Sequence, residues 1–100
     1  MKKFAVVALL MASSLAYADR SVDEIYPKTC GVCHEAGVAG APKIHDAAAW
    51  KTRSDAKGGI DGLVASVKNG LNAMPPKGMC MDCTDTEYKA LIEHMMKPAS

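Results

Sequence analysis

Cys30-Gly31-Val32-Cys33-His34 is the stretch on which the reading of this chain turns. Residues at i and i+3 project from one side of a helical turn, so both thiols face the same way and the histidine follows directly behind them. Cys-x-x-Cys-His is the spacing of haem c attachment: each thiol forms a thioether with one vinyl group along a haem edge, and the histidine is carried under the ring as proximal iron ligand. Only three of its five positions are specified, and a plain disulfide or half of a zinc site beside an incidental histidine would use the same residues. The weight of the motif therefore rests on what surrounds it.

Upstream, Lys2 and Lys3 precede an unbroken apolar run from Phe4 to Ala12, and Ala16-Tyr17-Ala18 has the small-x-small form of a cleavage site. This predicts a signal peptide over residues 1–18, cleaved after Ala18, and a periplasmic protein beginning at Asp19. The apolar run falls short of the ~20 residues that cross a bilayer, so no transmembrane span is expected in the mature chain. Export also suits the motif, because haem c is assembled after export.

Residues 19–100 make one small domain of 82 residues, too short to bury a large core unaided. Without Lys2 and Lys3 it has ten basic and eleven acidic side chains, one net negative charge, and nothing that points to nucleic acid. Tyr26, Trp50 and Tyr88 are its only aromatic residues. A haem macrocycle would supply the missing apolar bulk.

Ser21-Val22-Asp23-Glu24 has the form of a capping box, and Val22, Ile25, Tyr26 and Thr29 follow at helical spacing, which predicts a first helix over 22–33 with Pro27 as its irregularity. Residues 35–43 read as a small, flexible loop able to lie against a flat ligand. Asp46 caps a short helix through Trp50 to about Asp55, ended by Gly58-Gly59. Ile60, Leu63, Val64, Val67 and Leu71 form the apolar stripe of a third helix, ended by Gly70 and Asn72. Pro75, Pro76 and Gly78 interrupt the chain between Ala73 and Cys83. Thr84-Asp85-Thr86-Glu87 is a second capping box, leading into Tyr88, Leu91, Ile92 and Met95 on one face. No strand pattern and no internal repeat occur.

In this order the features resemble the class I c-type cytochromes: Cys-x-x-Cys-His near the mature start, a Gly/Pro loop, a lone Trp, then Met-Pro before a C-terminal helix. Cys80-Met81-Asp82-Cys83, shortly after Met74-Pro75-Pro76, makes the chain more closely similar to the bacterial cytochrome c₅ group. The resemblance implies an all-α, small cytochrome c fold, about four short helices wrapped around one covalently attached haem c. Thioethers are expected at Cys30 and Cys33 and an axial bond at His34. For the opposite axial ligand Met74 is favoured over Met79, because two prolines make its segment rigid. Met79 and Met81 are expected to fill gaps and Met95 to pack in the core.

The family likeness further implies that the Pro42 carbonyl holds His34, that the Trp50 N–H reaches a haem propionate unless the residue is a core filler, and that Cys80 and Cys83 form a disulfide, a redox-active dithiol being the other reading of so close a pair. Tyr26 and Tyr88 are expected to do no more than pack. The function implied is that of a soluble periplasmic monohaem cytochrome, not an enzyme, transferring single electrons between respiratory redox proteins through transient, mostly apolar docking at loops 36–42 and 73–78, with Lys43 and Lys77 at the rim. Two alternatives belong to a different class: an exported Cys₄ metal-binding module, whose 46 residues between pairs far exceed the ~15–20 of a zinc module, and a haem-based gas sensor.

Overall fold

The computed structural model describes residues 19–99; the expected signal peptide lies outside them. Five α-helical segments and three 3₁₀ turns are joined by short loops, and no strand occurs among the described residues, only an isolated bridge between Leu71 and Met74. The all-α expectation holds.

The chain enters through α1 (Val22–Ile25), capped as expected: the Ser21 hydroxyl accepts from the Glu24 amide while the Glu24 carboxylate accepts from the Ser21 amide. A continuous helix to residue 33 does not form. Pro27 cannot donate to the Asp23 carbonyl, so the chain tightens into a 3₁₀ turn over Tyr26–Lys28 and restarts as α2 (Gly31–His34). The break puts the two cysteines and His34 on a separate turn of their own.

Helix α3 (Ala47–Lys57) starts at Asp46, whose carboxylate accepts from the Ala49 amide, and ends at Gly58 in the left-handed conformation, two residues beyond the expected end. Helix α4 (Ile60–Asn69) follows at once. Leu63 and Val64 of its stripe are buried and Ile60 and Val67 partly so, but Leu71 leaves the stripe because the helix ends at Asn69 and Gly70 turns the chain away. A 3₁₀ turn over Pro76–Met79 precedes α5 (Asp85–Met96), which opens on the second capping box, Thr84 with Glu87.

Helix α5 is the spine. Tyr88, Leu91, Ile92 and Met95 are buried at i, i+3, i+4 and i+7, packed against α4, α1 and α3. Leu91 and Met95 are almost wholly enclosed, where truncation to alanine costs about 2–5 kcal/mol. The N-terminal end is fastened to the same helix: the Arg20 amide and guanidinium both donate to the Glu87 carboxylate at 2.9 Å. The packed helices hold three segments around one concave face, α2, residues 38–42 and residues 71–79, which together line the site described next.

Candidate haem site

Two adjoining cavities, of about 180 and 110 Å³, share Cys30, His34, Pro42, Arg53, Leu71 and Met74 in their walls. The first opens between residues 38–42 and 71–75. The second runs inward to Trp50, Leu63, Val67, Leu91 and Met95, so the site is continuous with the hydrophobic core.

Helix α2 presents its residues as the spacing requires. Cys30 is buried, Cys33 half-buried, and neither thiol is paired. Burial among apolar neighbours pushes the Cys30 thiol above its ordinary pKa. His34 is also buried, with its Nδ1 at 2.7 Å from the Pro42 carbonyl oxygen. A carbonyl only accepts, so Nδ1 carries the proton and Nε2 keeps the lone pair that binds a metal. The Ile44 amide donates back to the His34 carbonyl at 2.7 Å, and this two-way clasp fixes the loop to the histidine.

On the far wall Met74 sits in a tight turn. Its amide donates to the Leu71 carbonyl at 2.9 Å, and the Leu71 amide donates to the Met74 carbonyl at 3.1 Å. Met79 also borders the first cavity, but at its mouth and half exposed; Met81 is more exposed still. The expectation that Met81 fills a gap is therefore corrected. Met81 lies on the surface, in neither cavity, while Met79 borders the outer one.

Trp50 is buried beside His34, ring centres 5.3 Å apart, and its N–H donates to the Lys43 carbonyl at 2.9 Å. Its N–H is engaged with the main chain here, which is the arrangement of the core-filler alternative, with Trp50 also bracing the clasp loop. The cation bordering both cavities is Arg53, one turn along α3 from Trp50, with a guanidinium nitrogen 3.4 Å from the Gly40 carbonyl. Sequence reasoning passed over Arg53, although its i+3 spacing from Trp50 put both on one helix face. Lys43 and Lys77 border neither cavity.

The second cysteine pair lies apart from these walls. Cys80 and Cys83 are joined as a disulfide, Cα atoms 5.5 Å apart, and Thr84 rather than a histidine follows them. Two sulfurs bonded to each other offer no thiolates, which removes the Cys₄ alternative, and no group of three or more metal-binding side chains exists among the described residues. Tyr88, expected only to pack, donates its hydroxyl to the Cys80 carbonyl at 2.7 Å. Tyr26 donates to Glu35 at 3.0 Å; desolvation first, then that bond, holds its hydroxyl above the ordinary pKa.

The residues present fit haem c. Two unpaired thiols on one turn, a buried imidazole with its Nε2 free, a thioether and an apolar cleft are the donor set this group needs.

The comparisons agree. The family model for cytochrome c oxidase, cbb3-type, subunit III matches residues 18–95. Cytochrome c5 of Azotobacter vinelandii is 59% identical over 76 residues, 76% of this chain and 92% of that protein. The chain belongs to the class I c-type cytochromes. Within this family it resembles cytochrome c5, and the Ectopseudomonas mendocina cytochrome c5 is 54% identical over 84% of this chain and 97% of its own. The fold is the small cytochrome c fold: the mono-haem ferrocytochrome c of Shewanella putrefaciens superposes with a TM-score of 0.68 at 60% identity, over 81% of this chain and 99% of that one. A cytochrome c in a crystallised electron-transfer complex with nitrite reductase matches at 0.64 and 35% identity, over 79% of this chain and 95% of that one. The cytochrome binds one covalent haem c and carries electrons.

Proposed function

We propose that this cytochrome is a soluble periplasmic carrier, not an enzyme, that passes single electrons between respiratory redox proteins with its iron held between His34 and Met74. The observation that carries the reading is the presence of both residues, with free Cys30 and Cys33, in the wall of one cavity. Haem c, when bound, supplies an iron that cycles between ferrous and ferric states. Cys30 and Cys33 tether its edge, Pro42 fixes the imidazole through Nδ1–H, and Met74 supplies a soft sulfur that favours the ferrous form. Arg53 brings a cation to the cleft, where the carboxylates of the haem need one.

His34 and Met74 together would supply the iron with two protein ligands and leave no position open. Oxygen activation, peroxidase chemistry and gas sensing each need one open, so this donor set favours electron transfer. The rim supports transient docking: Val38, Leu71 and Met79 are exposed there, and Arg53 is the charged residue in the wall of the outer cavity. A redox protein as partner is in keeping with the structural neighbour found with nitrite reductase. Export rests on the reading of residues 1–18, and no helix of the described residues is long and apolar enough to cross a membrane.

Visible spectra of the purified holoprotein test the reading. A low-spin form in both oxidation states, unreactive to carbon monoxide when ferrous, is expected; a high-spin or carbon-monoxide-binding ferrous form overturns the closed site. Met74→Ala should abolish the ferric thioether-to-iron charge-transfer band. Loss of that band in Met79→Ala instead moves the ligand to Met79.

A further inference from the structure

The turn that carries Met74 is fixed at its main chain by the reciprocal Leu71 hydrogen bonds and by the two prolines that follow. The far end of the side chain meets Gly78. A Cβ at residue 78 would stand 3.0 Å from the Met74 methyl carbon, with Val67 next at 4.0 Å. Carbon atoms attract at about 3.5–4.0 Å and repel steeply below it, so an added Cβ would push the Met74 methyl, the far end of its side chain, a few tenths of an ångström from its present position.

Backbone conformation alone does not call for glycine here. Gly78 has φ +54°, but Lys77 and Met79 on either side adopt φ +67° and +70° with full side chains. The segment tolerates left-handed L-residues, and what distinguishes position 78 is the methyl group lying against it.

We propose that Gly78 is a positioning residue for the axial thioether: the space its missing side chain leaves is the seat of the Met74 methyl, and that seat sets the direction in which the sulfur offers its lone pair. A thioether sulfur has two carbon substituents: the chain side is tied to a fixed main chain through rotatable bonds, and this seat restricts the methyl. With the methyl seated, the sulfur has fewer directions in which to offer its lone pairs. The proposal rests on the reading of Met74 as iron ligand.

Gly78→Ala and Gly58→Ala in the holoprotein form the test. Gly58 has φ +80° and nothing within 4 Å of a Cβ, so alanine there brings backbone strain without a new contact. Gly78→Ala should weaken or abolish the charge-transfer band and lower the midpoint potential, as loss of a well-directed methionine sulfur requires, while Gly58→Ala leaves both unchanged. Equal effects in the two variants overturn the proposal. If Gly78→Ala does not accumulate as holoprotein, proton NMR of the wild-type ferrous form decides: a nuclear Overhauser contact between the Met74 methyl and the Gly78 α protons is expected, and its absence sinks the idea. Failure of the underlying ligand reading is separate, since a Met74→Ala variant would then keep its band.

Discussion

The chain uses Cys-x-x-Cys twice and to opposite ends. Cys30 and Cys33 leave their thiols free on a helical turn facing a cavity, with His34 behind them; Cys80 and Cys83 close on each other, with Thr84 behind them. The spacing is identical and brings two sulfurs to one side in both places. What differs is what each pair meets. The first lies over an apolar cleft that admits a flat ligand; the second caps a turn whose main chain is held by Tyr88 from α5 and whose Asp82 faces Arg20. Spacing sets where the sulfurs point, and surroundings set what they react with.

If the two pairs do separate jobs, removing each should fail differently. Cys30→Ser with Cys33→Ser is expected to have the largest effect: no covalent haem on a denaturing gel, and no cooperative thermal transition by circular dichroism, because the cleft runs into the core beside Leu63, Leu91 and Met95. A variant that folds cooperatively without haem breaks the claim that this domain depends on it. Cys80→Ser with Cys83→Ser should keep the haem spectrum and lose about 2 kcal/mol in denaturant titration, the chain-entropy value for so short a closed loop. Loss of haem attachment in this second variant would show that the pairs are not independent.

The sequence made the first pair legible because its chemistry is local: five residues specify thioethers, a proximal ligand and the helical turn that aims them. The helix starts at Ser21, Asp46 and Thr84 were legible for the same reason, each cap being a hydrogen bond across three residues. Pro27 announced a break without saying which side of it would stay regular, since that depends on how Tyr26 packs. Arg53, Gly78 and the Tyr88 hydroxyl were not legible: each acts across space on a segment distant in sequence or bent back by turns. The bond from Trp50 to Lys43 was not legible either, because Lys43 lies in a loop whose path only the fold determines.

A smaller effect probes how α5 holds the second pair. Tyr88→Phe removes the hydroxyl that donates to the Cys80 carbonyl but keeps the ring that fills the core, and is expected to cost about 1 kcal/mol. Haem spectrum and potential should be unchanged. In the background of Cys80→Ser with Cys83→Ser the loss should shrink, because a turn no longer closed by the disulfide adapts to the missing donor. Strict additivity in that cycle would mean that hydroxyl and disulfide act on different features.

The most specific effect concerns the fastening of the chain's first described residues to the second pair. Glu87 is buried and accepts from the Arg20 side chain, the Thr84 amide and the Arg20 amide. The Arg20 hydrogen bond first, then the Thr84 amide, hold its carboxyl down to about 2 from an ordinary 4.5. A carboxyl depressed by folding adds stability that is whole above its ordinary pKa and drains away as pH falls toward the folded value. Thermal unfolding of the holoprotein should therefore lose midpoint temperature between pH 4.5 and about 2. Glu87→Gln keeps the shape but has no proton to take up, so its midpoint should fall less steeply across that window, the remaining slope belonging to the other carboxylates. Parallel slopes for the two proteins would show that Arg20 does not hold Glu87 in solution. In that case the disulfide and Tyr88 alone would fix the second cysteine pair.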